Sequence, residues 1–330
     1  MPGYFYRAFG QTLCAEVALP WLRQVDALRG NGSQTPDISI HSRKHPGLAT
    51  FRKQPWLRSR SLDPSGKPSL TVWRLIGDGG YHLQFGDGFE FTVDGSGSQI
   101  WSAELGGEKL PSAAVYLQGL VLSIALYLRG LTCLHASAVL IDNQAVIFAG
   151  DAGAGKSSLA ASFALHGYPV LSDDIVALLP GEEGFVVPPA IPVIRLRSHV
   201  AEAAFGPNPP LPLIAPDWDK LGLRLNGEKG LFADHAAPPA VIYILSEPAS
   251  SPGTSSFTQL SRRDALLYLS NFGYLSYWMD KAMQRTEFDV FAALAATAVV
   301  RFLSPIGDPR EAETLLPQIV EDVRRERRPL

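Results

Sequence analysis

The chain has 330 residues, 46% of them apolar and 18% charged, with a formal net charge of -3. That balance belongs to a folded globular protein with room for two domains, and it excludes a disordered or collagenous chain. A charge so near zero gives no general attraction for nucleic acid or an acidic membrane surface. The two cysteines, Cys14 and Cys133, are far apart and in no metal-binding spacing, which excludes a disulfide framework and points to a reducing cytoplasm.

The first residues lack the basic-then-apolar order of a signal peptide. Residues 1–110 read as a β-rich amino-terminal module. Segments 38–41, 70–76, 81–85 and 89–93 are rich in β-branched and aromatic residues, and Gly-Asp-Gly-Gly at 77–80 and Gly-Asp-Gly at 86–88 punctuate them as consecutive hairpins. The texture changes at Pro111, where a second domain, residues 111–330, is expected to begin. It opens with an apolar helix over 112–129 that stops at Gly130. Within it, residues 113–128 are the strongest membrane-spanning candidate. The run is short, carries Gln118 and Gly119 and ends at Arg129, so a buried helix is expected and no membrane partner.

Strands are expected at 137–141 and 145–148, with Asp142-Asn143 turning between them. A glycine-rich loop follows, then a helix over 157–166 ending at Gly167, and a strand from Pro169 that delivers Asp173-Asp174. This order is that of an α/β nucleotide-binding core. Pro-rich loops at 187–192 and 206–216, a strand at 240–245, and helices at 264–271, 282–302 and 311–327 complete the expected elements. The cluster Arg324, Arg325, Arg327 and Arg328 sits where positive charge complements a helix carboxyl terminus, and a solvated helix end is its expected role.

Three features carry chemistry. Gly150-Asp151-Ala152-Gly153-Ala154-Gly155-Lys156-Ser157 fits the phosphate-loop pattern G-x-x-x-x-G-K-[ST] in full, with an apolar strand before it and a helix after it. Its glycines permit backbone N–H groups to converge on phosphate oxygens, Lys156 is expected to reach the β- and γ-phosphates, and the Ser157 hydroxyl to ligate Mg2+. Asp173 follows Ser157 by sixteen residues, close enough to place the Asp173-Asp174 pair beside the loop in a parallel sheet. One carboxylate is then available for the metal and the other for the proton of an attacking hydroxyl. His135, in Leu134-His135-Ala136-Ser137, is expected just ahead of the strand pair that ends in the loop; a lone histidine there is more often structural than catalytic.

Taken together, His135-Ala-Ser-Ala-Val, the loop through Ser158, and Leu171-Ser-Asp-Asp174 resemble the HPr kinase/phosphorylase family, whose relatives include the ATP-dependent phosphoenolpyruvate carboxykinases. The resemblance covers roughly residues 130–200. It implies a P-loop kinase core of HPr kinase/phosphoenolpyruvate carboxykinase type beside the β-rich module, with ATP and Mg2+ as cofactors. It further implies that Asp173 is the catalytic base, that Asp174 assists the metal, that His135 positions Asp173, and that Arg195 contacts phosphate. Lys220 and Arg224 are further basic candidates, with a surface role the more ordinary one for each. The chain departs from the family at Ala136, where glycine stands, and at Ala152, where serine stands, and it has no counterpart of the glycine- and asparagine-rich carboxyl-terminal segment. Its Tyr6-Arg-Ala-Phe-Gly10 start and β-rich first hundred residues resemble the HPr-kinase-related proteins found with ribosomally made peptides, lasso peptides among them. The resemblance therefore implies a serine hydroxyl of a precursor peptide as acceptor. A small-molecule kinase of the same superfamily and a nucleotide-hydrolysing switch stay open as alternatives, and a homo-oligomer is compatible with the sequence.

Overall fold

The computed structural model describes residues 3–26, 35–63, 65–182, 184–226, 230–246, 257–276, 279–304 and 308–326. They form a mixed α/β protein in two compact units. The first comprises residues 1–131 with a short return at 277–280, and the second residues 132–276 and 281–330.

In the first unit the strands are β1 (Tyr4–Ala8), β2 (Gln11–Ala15), β3 (Gln24–Val25), β4 (Ile38–His41), β5 (Arg52–Arg58), β6 (Leu70–Ile76), β7 (Tyr81–Phe85), β8 (Glu90–Val93) and β9 (Gln99–Trp101). Among the described residues they make one sheet in the order β3-β1-β2-β4-β9-β8-β7-β6-β5. The run β6-β7-β8 is antiparallel throughout, so the two glycine-rich turns do close consecutive hairpins. A long helix follows as α1 (Leu110–Tyr116), a wide π-type turn at Leu117–Val121, and α2 (Leu122–Leu128). Gly119 leaves helical dihedrals in that turn, at φ -107° and ψ -109°.

Gly107–Leu128 is long and apolar enough, by length and composition, to cross a membrane, and 78% of its most apolar window is buried within the protein. It belongs to the first unit, so the division between units falls after Leu131 rather than at Pro111. The physical reason is packing. Arg129 pairs with Asp37 at 3.0 Å, Gln118 donates to the Pro20 carbonyl, and the β8–β9 turn abuts α2. At that turn Gly97 has φ +68°, and a Cβ there would lie 2.3 Å from the Ala125 carbonyl oxygen. Gly97→Ala should therefore destabilise the protein by more than the roughly 1–2 kcal/mol that left-handed backbone costs an L-residue, read as a lowered urea midpoint with unchanged m-value.

In the second unit the elements are β10 (Thr132–Ile141), β11 (Gln144–Gly150), α3 (Lys156–Leu165), β12 (Val170–Ser172), β13 (Ile175–Gly181), β14 (Gly184–Val186), β15 (Val193–Arg197), α4 (Ser198–Phe205), β16 (Lys220–Arg224), β17 (Pro239–Leu245), α5 (Arg262–Asn271), α6 (Lys281–Thr297), β18 (Val299–Leu303) and α7 (Glu311–Glu326). The central sheet runs β14-β13-β10-β11-β17-β18, with β12 also paired to β10. Strands β11, β17 and β18 are parallel to one another. Strand β10 opposes β11, β12 and β13, so the sheet is mixed where a parallel one was expected.

Alternating side chains divide this sheet between two cores. Val139, Phe148, Tyr243 and Leu245 pack with Leu159 and Phe163 of α3 and Ile319 of α7. Leu140, Ile147, Ile242 and Ile244 pack with Leu269 of α5 and Phe291 and Leu294 of α6. Helices thus cover both faces, and the core strands are buried throughout, which is why they read as unbroken apolar runs.

The helix placed at 282–302 ends at Thr297, and Val299–Leu303 is strand β18, paired in register with Val241–Leu245. The strand placed at 137–141 begins five residues earlier, at Thr132, so His135 lies within β10 rather than ahead of it. At the carboxyl end, Arg324 pairs with Asp142 at 3.1 Å and Arg325 with Glu321, while Arg327 and Arg328 lie outside the described residues.

Candidate active site

The loop between β11 and α3 is built by three glycines with different tasks. At Gly150 a Cβ would sit 2.9 Å from both Cβ and O of Leu245, so only glycine lets β11 run flush against β17 as the loop departs. Gly153 and Gly155 take positive φ, +90° and +100°, turning the chain so that α3 starts at Lys156. Nothing lies within 4 Å of where a Cβ at Gly153 would stand, so the cradle is open on that side. Such a turn, ending at a helix amino terminus, is an anion-binding arrangement of backbone N–H groups.

Lys156 is buried, and its Nζ donates to the carbonyls of Gly150 at 2.6 Å and Asp151 at 2.9 Å. Burial lowers its pKa below the usual lysine value, opposed by the charges of Asp173, Asp174 and Asp151. Ser157 Oγ donates to Asp173 Oδ1 at 2.8 Å.

The two acids do not end a strand that leaves the sheet. β12 and β13 pair with the same edge of β10, and Asp173-Asp174 lies in the gap between them, from Ser172 opposite Ala138 to Ile175 opposite His135. Asp174 takes φ +75°, a region open to Asp more readily than to most residues. With this left-handed residue in the gap, the two neighbouring carboxylates meet different partners. Asp173 Oδ1 also accepts from Ser137 Oγ at 2.8 Å, and Oδ2 accepts from the Arg195 backbone N–H at 2.9 Å. Asp174 instead faces His135 Nδ1 at 3.3 Å and Arg195 Nη1 at 3.4 Å, with the Tyr274 hydroxyl at 3.5 Å. Partial burial opposes its ionisation. The hydrogen bond from His135 and the positive charges of Arg195, His135 and Lys220 outweigh it and hold Asp174 well below the usual carboxylate range.

This reverses the expected partnering. His135 contacts Asp174 and not Asp173, and the Ser157 hydroxyl meets Asp173 and not Asp174. Adjacent residues on a strand project oppositely, and the positive φ at Asp174 adds a further turn, so sequence adjacency did not reveal which acid faces which group. Arg195, expected on phosphate, pairs with Asp174 through its guanidinium and braces Asp173 through its main chain.

A cavity of about 230 Å³ gathers Ala152, Gly153, Gly155, Lys156, Ser157, Ser158, Asp173, Asp174, His135 and Arg195. Gly150, Asp151 and Ala154 shape the loop from outside its lining, and Lys220 joins the wall whereas Arg224 does not. Sequence reasoning missed Ser137, Arg197, His199 and Tyr274. Ser137 had a signal in its place two residues after His135, on the same strand face; the others arrive from β15, α4 and the segment after α5, and no local pattern marks them. Among the described residues no group of three or more His, Cys, Asp or Glu side chains can hold a metal unaided. One hydroxyl with one or two carboxylates is a fitting donor set for Mg2+, which retains waters and shares phosphate oxygens.

No protein-family model matches the chain, and no curated protein matches it. Among solved structures it is similar to the HPr(Ser) kinase/phosphatase from Coxiella burnetii, at 14% identity over 58% of this chain and 98% of that chain, with a TM-score of 0.31.

Proposed function

We propose that the chain is an ATP- and Mg2+-dependent kinase that transfers the γ-phosphoryl group to a serine hydroxyl of a peptide or protein, of which a ribosomally made lasso precursor is one candidate. The observation that carries the reading is the hydrogen bond from Ser157 to Asp173, one residue from Asp174, whose carboxylate faces His135 and Arg195 in the same cavity. A phosphate cradle alone supports binding; a cradle with a second, separately held carboxylate supports transfer to an acceptor.

In this reading the loop N–H groups, the amino terminus of α3 and Lys156 hold the phosphates of ATP. Ser157 and Asp173 hold the metal, and Ser137 and the Arg195 N–H fix the Asp173 carboxylate in place. Magnesium, when bound, neutralises charge on the phosphates and orients them. Asp174 receives the proton of the attacking hydroxyl. In a loose transition state the base orients the nucleophile more than it drives deprotonation, so Asp174 need only accept the hydroxyl's hydrogen bond as the proton leaves. His135 and Arg195 position Asp174. Catalysis of this kind is positioning and charge stabilisation. The reading carries with it a cytoplasmic location, where ATP, Mg2+ and reduced thiols such as those of Cys14 and Cys133 coexist.

The test is intact-mass analysis of serine peptides incubated with the protein, ATP and Mg2+. Addition of one phosphate to a peptide is expected. Phosphate appearing only on a metabolite would move the assignment to a small-molecule kinase, and ATP hydrolysis with no phosphorylated product would end the kinase reading. Independently of turnover, Ser157→Ala and Asp173→Asn should each raise the Mg2+ concentration that supports binding of a fluorescent ATP analogue by about 10–100-fold.

A further inference from the structure

Strands β15 and β16 form a two-stranded antiparallel ribbon along one wall of the cavity, and β16 is also bridged by Leu213. Arg197 and Lys220 stand directly opposite each other across that ribbon. Two like charges at facing positions destabilise a strand pair. The buried or half-buried arginines of this site and core have counterions: Arg195 has Asp174, Arg129 has Asp37, and Arg301 has Asp322. Among the described residues, Arg197 and the nearby His199 have no carboxylate within ion-pairing distance, Lys220 acts on Asp174 only from beyond that distance, and all three line the cavity that holds Lys156, Ser157, Asp173 and Asp174. Three cationic or cation-forming side chains kept together at a stability cost point to an external anion.

The phosphates of ATP have the loop, the α3 terminus and Lys156, and Arg195 is committed to the acids. Arg197 lies two residues further along β15, on the same strand face as Arg195 and about 7 Å beyond it. One or two residues of extended peptide, at about 3.5 Å each, span that interval. A guanidinium presents parallel donors that match a carboxylate.

We propose that Arg197, Lys220 and His199 recognise a carboxylate on the acceptor, one or two residues from the hydroxyl that receives phosphate. The proposal rests on the kinase reading and names the acceptor class within it. The carboxylate comes either from an acidic side chain or from the acceptor's own carboxyl terminus.

Three labelled peptides of equal length, each with one serine among neutral residues, distinguish these. The first has Asp beside the serine and an amidated end, the second has the serine next to a free carboxyl terminus, and the third is amidated and without acid. Binding is read by fluorescence anisotropy, and phosphate transfer by mass. One of the two carboxylate peptides should bind about tenfold more tightly than the neutral one, the scale of one or two partly exposed ion pairs, and which one identifies the source. Arg197→Glu should erase the difference and Arg197→Lys keep most of it, with ATP-analogue binding unchanged in both. Arg197→Gln should also raise Tm slightly, since it relieves the cross-strand repulsion. Equal binding of all three peptides to the unaltered protein would overturn the proposal. So would Arg197→Glu weakening the ATP analogue instead of the peptide. Selective binding without any phosphate transfer would uphold the anion site and sink the kinase reading.

Discussion

Asp174→Asn should lower phosphoryl transfer by about 10²–10⁴-fold, the range for loss of a positioned general base, while binding of ATP with Mg2+ stays close to normal. The separation follows from geometry. Asp174 faces His135, Arg195 and Tyr274, whereas the hydroxyl that reaches the metal side, Ser157, is held by Asp173. Asparagine preserves the shape and accepts the positive φ, so the fold should survive. An Asp174→Asn protein that transfers phosphate at the normal rate would remove Asp174 from the chemistry, and one that no longer binds nucleotide would assign it to the metal.

The same substitution has a pH signature. The folded-state pKa of Asp174 is depressed, so its ionisation contributes stability that is fully present above the ordinary aspartate value of about 4 and is lost as pH falls through the folded value. Asp174→Asn should therefore lower stability through the neutral region, where the contribution is full, and flatten the acid limb below about pH 4, so that the two profiles converge in acid. Urea unfolding at a series of pH values reads this directly.

Lys156→Met should reduce transfer by at least about 10²–10³-fold, the cost of removing one preorganised donor to developing charge, and should also weaken nucleotide binding. Unlike the Asp174 change, it is expected to disturb the loop. The ammonium bonds two backbone carbonyls of its own loop, and methionine leaves those buried acceptors unmatched. A lowered Tm should accompany the lost activity, and hydrogen exchange should quicken in residues 150–156. Lost activity with an unchanged Tm would mean that the carbonyl contacts contribute nothing to loop order.

The parts of the protein that sequence made legible are those governed by local rules. Strands at Leu70–Ile76 and Tyr81–Phe85 alternate and are bounded by glycine turns, and they stand where the pattern placed them. The loop from Gly150 to Ser157 declares itself because each glycine has a backbone task. Strand β5 went unseen because it is an exposed edge with no buried alternation, and Pro55 interrupts it. Strand β18 was hidden by an alanine-rich helix that runs almost directly into Val299, with only Thr297 and Ala298 at the boundary. The site was half legible. The loop, the acid pair, His135 and Arg195 line one cavity, yet which acid faces His135 was not readable from their adjacency, and the wall carrying Arg197 and Lys220 depends on a ribbon whose strands are distant in sequence.

The parallel pairing of β11 with β17 also bears on how the protein is made. The strand that launches the loop, Ala145–Gly150, is completed on one side only by Pro239–Leu245, and the crowding at Gly150 comes from Leu245 itself. Pairings so remote close slowly, because chain entropy must be lost before the contacts form. On the ribosome the loop motif therefore emerges long before its scaffold. A nascent chain arrested before residue 239 should fail to retain ATP analogue even though the whole loop has been translated, and competence should appear only after Leu245 has cleared the exit tunnel.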